Sequence, residues 1–177
     1  MVAEQEINTQ AGQSLKGCII VVRHGARDIN CHLLPAGEEQ MRNLGVCISE
    51  QLGRCNEIML MSASTPHVLH SRNALASALE GTPACSADAQ LNETSGDGPS
   101  NELLKRYAKS FVADSQSHQC LRVLVMHGSI GAWLIIYMLR ALNMPQDIRF
   151  EETLPFATGW IIDPVNKTMR PISGLRH

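Results

Sequence analysis

Residues 21–27 read Val-Val-Arg-His-Gly-Ala-Arg, and residues 123–129 read Val-Leu-Val-Met-His-Gly-Ser. Each stretch places a histidine directly after an apolar run. A strand inside a parallel sheet is buried on both faces, so its sequence is almost continuously Val, Ile and Leu. Ligands of such sheets bind beyond the carboxyl ends of the strands. We therefore expect Arg23, His24 and His127 to converge on one crevice.

Length and charge limit the classes of protein to which this chain can belong. Its 177 residues, 44% of them apolar, are enough for one substantial core and too few for two ordinary domains. We assign residues 1–17, which are polar, to a flexible tail and residues 18–177 to a single domain. A net charge of −2 provides no basic field for nucleic acid or an anionic membrane. We therefore predict neither of these partners.

The distribution of apolar residues bears on where in the cell the protein lies. The tail lacks the basic start and apolar centre of a signal peptide, so we expect a cytoplasmic protein. The most apolar segment, residues 130–139, is about half the length that a bilayer crossing requires. It is predicted to be a buried helix.

Apolar periodicity predicts that strands and helices alternate along the chain. Strands are expected at residues 18–22, 57–62, 84–87, 121–126, 158–163 and 168–172, and helices at 37–53, 66–79, 101–114 and 129–143. This order implies right-handed crossovers and helices on both faces of the sheet. The predicted fold class is α/β, a three-layer αβα sandwich around a mostly parallel sheet. The polar, glycine-rich residues 92–100 are expected to overhang the site.

The Arg-His-Gly string at residues 23–25 carries the first chemical prediction. Phosphoryl transfer to histidine requires a neutral imidazole aimed at phosphorus and fixed positive groups on the equatorial oxygens. Arginine suits the second task because its planar fork binds phosphate bidentately. The string resembles the motif of the histidine phosphatase superfamily, whose fold is also called phosphoglycerate mutase-like. The resemblance implies that His24 is the nucleophile, that Arg23 binds phosphate and that no cofactor takes part.

The resemblance continues after this motif. Asn30 falls on the asparagine of the mutase branch, Arg-His-Gly-Glu-Thr-x-x-Asn, whereas Arg27 matches the second arginine of the acid phosphatase branch, Arg-His-Gly-x-Arg-x-Pro. Both residues are thereby implied to bind substrate or phosphate. Residues 33–40 resemble the family's Leu-Thr-x-x-Gly-x-x-Gln, which opens the first helix. The family's second arginine follows a strand, and Arg72 is the only arginine in that region, so the resemblance implies a phosphate-binding role for it.

The second histidine string implies another phosphate contact. His127 matches the family histidine that hydrogen-bonds a phosphate oxygen. Gly128 and Ser129 would begin a helix beside it, and the free amides of a helix N-terminus attract an anion.

The leaving oxygen must be protonated, so a carboxyl group is expected near the phosphate. The acid phosphatase branch has an aspartate directly after the second histidine, where this chain has Gly128. The mutase-like branch uses a glutamate in a Leu-x-Glu string after a strand, and Leu-Asn-Glu at residues 91–93 fits. The resemblance therefore implies that Glu93 is the general acid, with Asp28 and Asp97 as alternatives.

Two further histidines are candidate metal ligands. His67 and His70 lie three residues apart on one face of a predicted helix, a spacing that can hold a metal ion. No carboxylate or cysteine lies at a matching spacing, so we predict no metal site.

Together these interpretations predict a small phosphatase that hydrolyses a phosphomonoester or a phosphoramidate through a phosphohistidine at His24. The substrate is a phosphorylated small molecule or a phosphoprotein, and the oligomeric state stays open. One alternative is a phosphoglycerate mutase-like phosphoryl transferase. Family mutases carry a long Gly- and Arg-rich segment that this chain lacks after Asn30, which favours hydrolysis because a minimal lid admits water. A second alternative is a non-catalytic phosphate-binding adaptor on the same fold.

Overall fold

A computed structural model of the chain describes residues 15–52, 57–92, 99–117, 120–145 and 154–175. Six strands form one sheet: β1 (Ile19–Arg23), β2 (Ile58–Ala63), β3 (Ala84–Asp88), β4 (Leu121–Met126), β5 (Thr158–Asp163) and β6 (Thr168–Ser173). The helices are α1 (Pro35–Leu52), α2 (Pro66–Ser77), α3 (Asn101–Ser117) and α4 (Gly128–Ala141). The predicted elements are all present, with ends shifted by a few residues.

The sheet explains why several loops meet at one place. Its strand order is β3-β2-β4-β1-β5-β6. The first four strands in this order run parallel to one another, β5 pairs antiparallel with β1, and β6 pairs antiparallel with β5. Helix α1 packs against α2, and α3 packs against α4. The predicted three-layer α/β sandwich with a mostly parallel sheet is confirmed.

The hydrophobic core surrounds β1 and β4, the two strands that precede His24 and His127. All six residues of β4 are buried, and so are the first four of β1. The buried, apolar sequence of these strands therefore follows from cover on both faces. Leu15 also belongs to this core and is 1% exposed. The last residues of the segment assigned to the tail thus pack on the domain, whereas residues 1–14 lie outside the described part.

Helix α4 contains the most apolar segment of the chain. Most of its residues are buried, and it packs against α3 and β1 as the predicted buried helix. Among the described residues, no helix has the length and hydrophobicity needed for a membrane crossing.

Candidate active site

Three neighbouring parallel strands end at the same edge of the sheet. His24 directly follows β1, His127 directly follows β4, and Ser64 and Thr65 follow β2. Because β4 lies between β2 and β1, these three carboxyl ends are adjacent. The ring centroids of His24 and His127 are 5.5 Å apart. The structure thus brings the two predicted histidines together.

His24 is held as a neutral imidazole. Its side chain is 1% exposed, and its Nδ1 lies 2.8 Å from the carbonyl oxygen of Gly25. A carbonyl can only accept a hydrogen bond, so Nδ1 carries the proton and the lone pair resides on Nε2. Burial lowers the pKa of His24 to about 3, and the charges of His67, His127 and Arg23 act in the same direction. A nucleophilic nitrogen is therefore available at neutral pH.

Arg23 is fixed by a loop that the sequence did not single out. Its Nη1 donates to the carbonyl oxygen of Leu154 at 2.7 Å, and its guanidinium carbon lies 3.9 Å above the ring of Phe156. Such stacking is favourable because the ring face carries negative charge. A Cβ atom on Gly128 would lie 3.0 Å from Cδ of Arg23, so glycine at this position makes room for the arginine.

The loop after β1 is anchored by α1 and α2. The amide of Gly25 donates to Oγ of Ser71 at 3.2 Å, and the amide of Ala26 donates to Oε1 of Gln40 at 3.2 Å. Gly25 also packs directly on Gly37. The Gly-x-x-Gln string at residues 37–40 therefore has a structural role, which is to seat the first helix against the His24 loop.

Two helix N-termini point at the same place. Thr65 is the N-cap of α2, and His127 is the N-cap of α4. Oγ1 of Thr65 lies 3.2 Å from Nε2 of His127, so the two caps are in contact. Ser129 lies in the first turn of α4, as predicted. The positive ends of both helix dipoles create a potential that favours an anion.

His67 joins the site although the sequence pattern did not predict it there. Its side chain is 5% exposed, and its ring centroid lies 4.7 Å from that of His24 and 5.2 Å from that of His127. His70, with which it was paired, is exposed instead. His24, His67 and His127 are called the histidine cluster below. The signal that could have revealed His67 is its position, because it lies in the first turn of a helix just beyond the end of a strand.

Arg72 is not brought to the histidine cluster. Its Nη1 donates to the carbonyl oxygen of Ser86 on β3 at 2.9 Å, and its Nε and Nη2 donate to the side chain of Asn73. Arg72 lies five residues beyond His67, and at about 100° per residue it faces a different side of α2. Its described contacts therefore do not place Arg72 at the implied phosphate site, and they tie α2 to the edge strand.

Two other predicted binding residues lie in the turn that follows the His24 loop. Nη1 of Arg27 donates to Sγ of Cys31 at 2.8 Å, and its backbone pairs with Leu33. Asn30 is exposed at the tip of this turn. In the described chain, no hydrogen bond joins either residue to the histidine cluster. Their binding roles stay predictions.

Of the three candidate general acids, only Asp28 lies in the described part of the chain. Glu93 and Asp97 lie outside the described residues. Asp28 accepts a hydrogen bond from the amide of His32 at 2.8 Å, and this bond is the main reason that its pKa is lowered. Asn92 accepts a bond from the amide of Ser64 at 2.8 Å. The residue that precedes Glu93 is thus attached to the end of β2, beside Thr65.

The site combines a neutral imidazole with positive potential around it. Arg23 and two helix N-termini supply positive potential, and the histidine rings supply further hydrogen-bonding groups. Such a site can hold a tetrahedral oxyanion and present a lone pair to its central atom.

Comparisons with known proteins bear on the fold. No protein-family model matches the chain, and no curated protein is detectably similar in sequence. A candidate alpha-ribazole-5'-P phosphatase from Escherichia coli has a TM-score of 0.61 and 17% identity over 88% of this chain and 95% of its own. The chain has the phosphoglycerate mutase-like fold.

Two further solved structures with the phosphoglycerate mutase-like fold are named for different activities. The protein histidine phosphatase SixA, complexed with tungstate, has a TM-score of 0.58 and 13% identity over 89% of this chain and 97% of its own. A phosphoglycerate mutase from Plasmodium falciparum has a TM-score of 0.56 and 16% identity over 87% of each chain. These neighbours belong to the histidine phosphatase superfamily. The likeness is one of backbone architecture, so the roles of individual residues rest on contacts in this chain.

Proposed function

We propose that this protein is a phosphatase of the histidine phosphatase superfamily, which hydrolyses a phosphomonoester or phosphoramidate of a small molecule or a protein. One observation carries the proposal: a buried, neutral His24 with its lone pair on Nε2, beside Arg23 and two helix N-termini. The fold likeness to SixA in complex with tungstate is consistent with it, because tungstate has the tetrahedral shape of phosphate.

In the first step, Nε2 of His24 attacks phosphorus. The N–P bond forms as the bond from phosphorus to the leaving oxygen breaks, and that oxygen keeps the electron pair and receives a proton. The bond from Nδ1 to the carbonyl of Gly25 keeps the ring oriented while its positive charge develops.

In the second step, water attacks the phosphohistidine. A P–O bond forms, the N–P bond breaks, and its electron pair returns to Nε2 of His24. A carboxylate takes the proton from water, and phosphate leaves. The same carboxyl group that protonated the leaving oxygen is thereby restored.

The equatorial oxygens need donors fixed in place. Arg23 supplies a guanidinium that is held by Leu154 and Phe156. His127 and the amides of α4 supply further hydrogen bonds. We assign to His67 the place that the sequence analysis gave to Arg72, because His67 lies against His24 and Arg72 is bonded to β3.

For the proton donor we keep Glu93. It follows Asn92, which is bonded to the loop after β2. Asp28 is less suited to this role, because the amide of His32 lowers its pKa and a general acid must hold its proton at working pH.

The decisive experiment is detection of the phosphohistidine. The wild-type protein, mixed with para-nitrophenyl phosphate and denatured at neutral pH, should show the added mass of one phosphoryl group on His24. His24→Asn should show no such mass and should lose several orders of magnitude in turnover, whereas His70→Asn, at an exposed position, should behave as wild type. A fully active His24→Asn would refute the mechanism.

Two further assays on the wild-type protein distinguish the phosphatase from the mutase and from the adaptor. Isomerisation of phosphoglycerate faster than its hydrolysis would favour the mutase. Tight vanadate binding without turnover of any phosphorylated metabolite or phosphopeptide would favour the adaptor.

A further inference from the structure

We propose that the histidine cluster binds one Zn²⁺ ion, with His24, His67 and His127 as three ligands and an anion as the fourth. Binding is independent of the proposed phosphatase activity. One consequence rests on that activity, because a metal ion on Nε2 of His24 would occupy the lone pair of the nucleophile.

The geometry of the cluster is the first support. One nitrogen from each of the three rings lies within 4.8 Å of the others. In a tetrahedral site with Zn–N bonds of about 2.1 Å, the ligand nitrogens are roughly 3.4 Å apart. A small rotation of each ring would close the difference. The three rings are mutual neighbours, with centroid distances of 4.7, 5.2 and 5.5 Å.

The donors have the right chemistry. Zn²⁺ binds neutral imidazole nitrogen, and three histidines with one open position form a known type of zinc site. Nδ1 of His24 lies 2.8 Å from the carbonyl oxygen of Gly25, so the lone pair on its Nε2 can face the metal. All three side chains are at most 5% exposed, which limits competition from bulk water.

The positive groups around the histidine cluster favour a negatively charged fourth ligand. Arg23 and the N-termini of α2 and α4 oppose a divalent cation at this place. They equally favour an anion bound to that cation, because the anion lies in their positive potential. A chloride, hydroxide, azide or phosphate oxygen in the fourth position would offset the repulsion. Metal and anion should therefore bind together.

The cluster could not be recognised from spacing along the chain. Its members lie in three separate segments that follow β1, β2 and β4, and residues 24, 67 and 127 show none of the short intervals of a linear zinc motif. Zinc binding here would overturn the expectation that no metal site exists, which considered only the neighbours of His67 along the sequence.

The test is a competition for Zn²⁺ between the full chain and a chromophoric chelator. Wild type should bind one ion per chain, and His67→Asn should weaken binding by at least about a hundredfold. The matched control is His70→Asn, which removes an exposed histidine from the same helix and should bind as wild type. His24→Asn provides a second loss of one ligand if His67→Asn fails to fold by circular dichroism.

Cobalt provides a spectroscopic test of the same site. Co²⁺ should give the strong visible bands of a tetrahedral complex with wild type and His70→Asn and not with His67→Asn. Azide should shift these bands, because it enters the fourth position. Absence of the bands in wild type, or equal zinc binding by wild type and the folded ligand variants, would overturn the proposal.

Activity distinguishes this proposal from the phosphatase proposal. Stoichiometric Zn²⁺ should abolish hydrolysis of para-nitrophenyl phosphate, and a chelator should restore it. A protein with no turnover under any condition that still binds Zn²⁺ would refute only the phosphatase. A phosphatase whose rate is unchanged with bound Zn²⁺ would refute the location of the metal.

Discussion

Gly25 and Gly37 pack backbone against backbone, so that a Cβ atom on Gly25 would lie 2.2 Å from the carbonyl oxygen of Gly37. In the other direction, a Cβ atom on Gly37 would lie 2.1 Å from the carbonyl oxygen of Ala26. Real Cβ atoms do not approach backbone this closely. The first turn of α1 therefore rests on the loop that follows His24, and the position of the proposed nucleophile depends on this contact.

Gly37→Ala should accordingly destabilise the protein and slow it. Forcing one extra methyl into a packed position typically costs about 1–3 kcal/mol and more where backbone must move. Urea denaturation measures the free energy of unfolding, and steady-state kinetics measure the loss of kcat. Glu39→Ala, an exposed change in the same turn, should stay within about 0.5 kcal/mol of wild type. Equal stability of Gly37→Ala and wild type would show that the loop is not held in this way.

His67 and Arg72 lie on the same helix, so the effects of replacing each can be compared directly. His67→Asn should lower kcat/KM by on the order of a hundredfold, because it removes a donor from the charge-stabilising site, and it should weaken vanadate binding. Arg72→Ala should change both quantities only a few-fold, since its guanidinium is bonded to Ser86 and Asn73. A loss of activity on Arg72→Ala comparable with that of His67→Asn would restore the arginine to the site.

The depressed pKa of His24 makes stability depend on pH. His24 has a pKa of about 3 when folded and about 6.5 when unfolded, so between these values the unfolded chain binds the extra proton. Its contribution to stability is present above pH 6.5 and is lost as pH falls towards 3. The slope approaches about 1.4 kcal/mol per pH unit. Unfolding by urea at pH 7, 6, 5 and 4 should show a shallower loss in His24→Asn than in wild type and in the control His70→Asn. Parallel curves for all three proteins would contradict this origin.

Glu93 can be tested through the leaving group. A general acid matters most when the departing oxygen is a poor leaving group, so Glu93→Gln should slow an alkyl phosphate strongly. The same change should affect para-nitrophenyl phosphate much less, since nitrophenolate leaves without a proton. The ratio of the two rates is the measurement, and Asp28→Asn is the matched control. Equal losses on both substrates would remove Glu93 from the role, and a selective loss in Asp28→Asn or Asp97→Asn would transfer it.

The sequence by itself determined the sheet and two of the three clustered histidines. Strand burial is visible in a run of consecutive residues, and the carboxyl ends of parallel strands meet wherever the sheet forms. His24 and His127 follow such runs directly. For that reason local information was enough to predict that they meet, along with the order of elements that the structure shows.

Only the tertiary structure decided which side chains of α2 join them. Successive residues of a helix lie on different sides of it. Which side of α2 faces the site is decided by its packing against α1, β2 and β4. This packing places His67 beside His24 in the histidine cluster, and it places Arg72 against Ser86 on β3. It also brought Leu154 and Phe156, more than a hundred residues away in sequence, onto Arg23. Contacts between distant segments depend on the summed packing of the whole core, and no short motif encodes that sum.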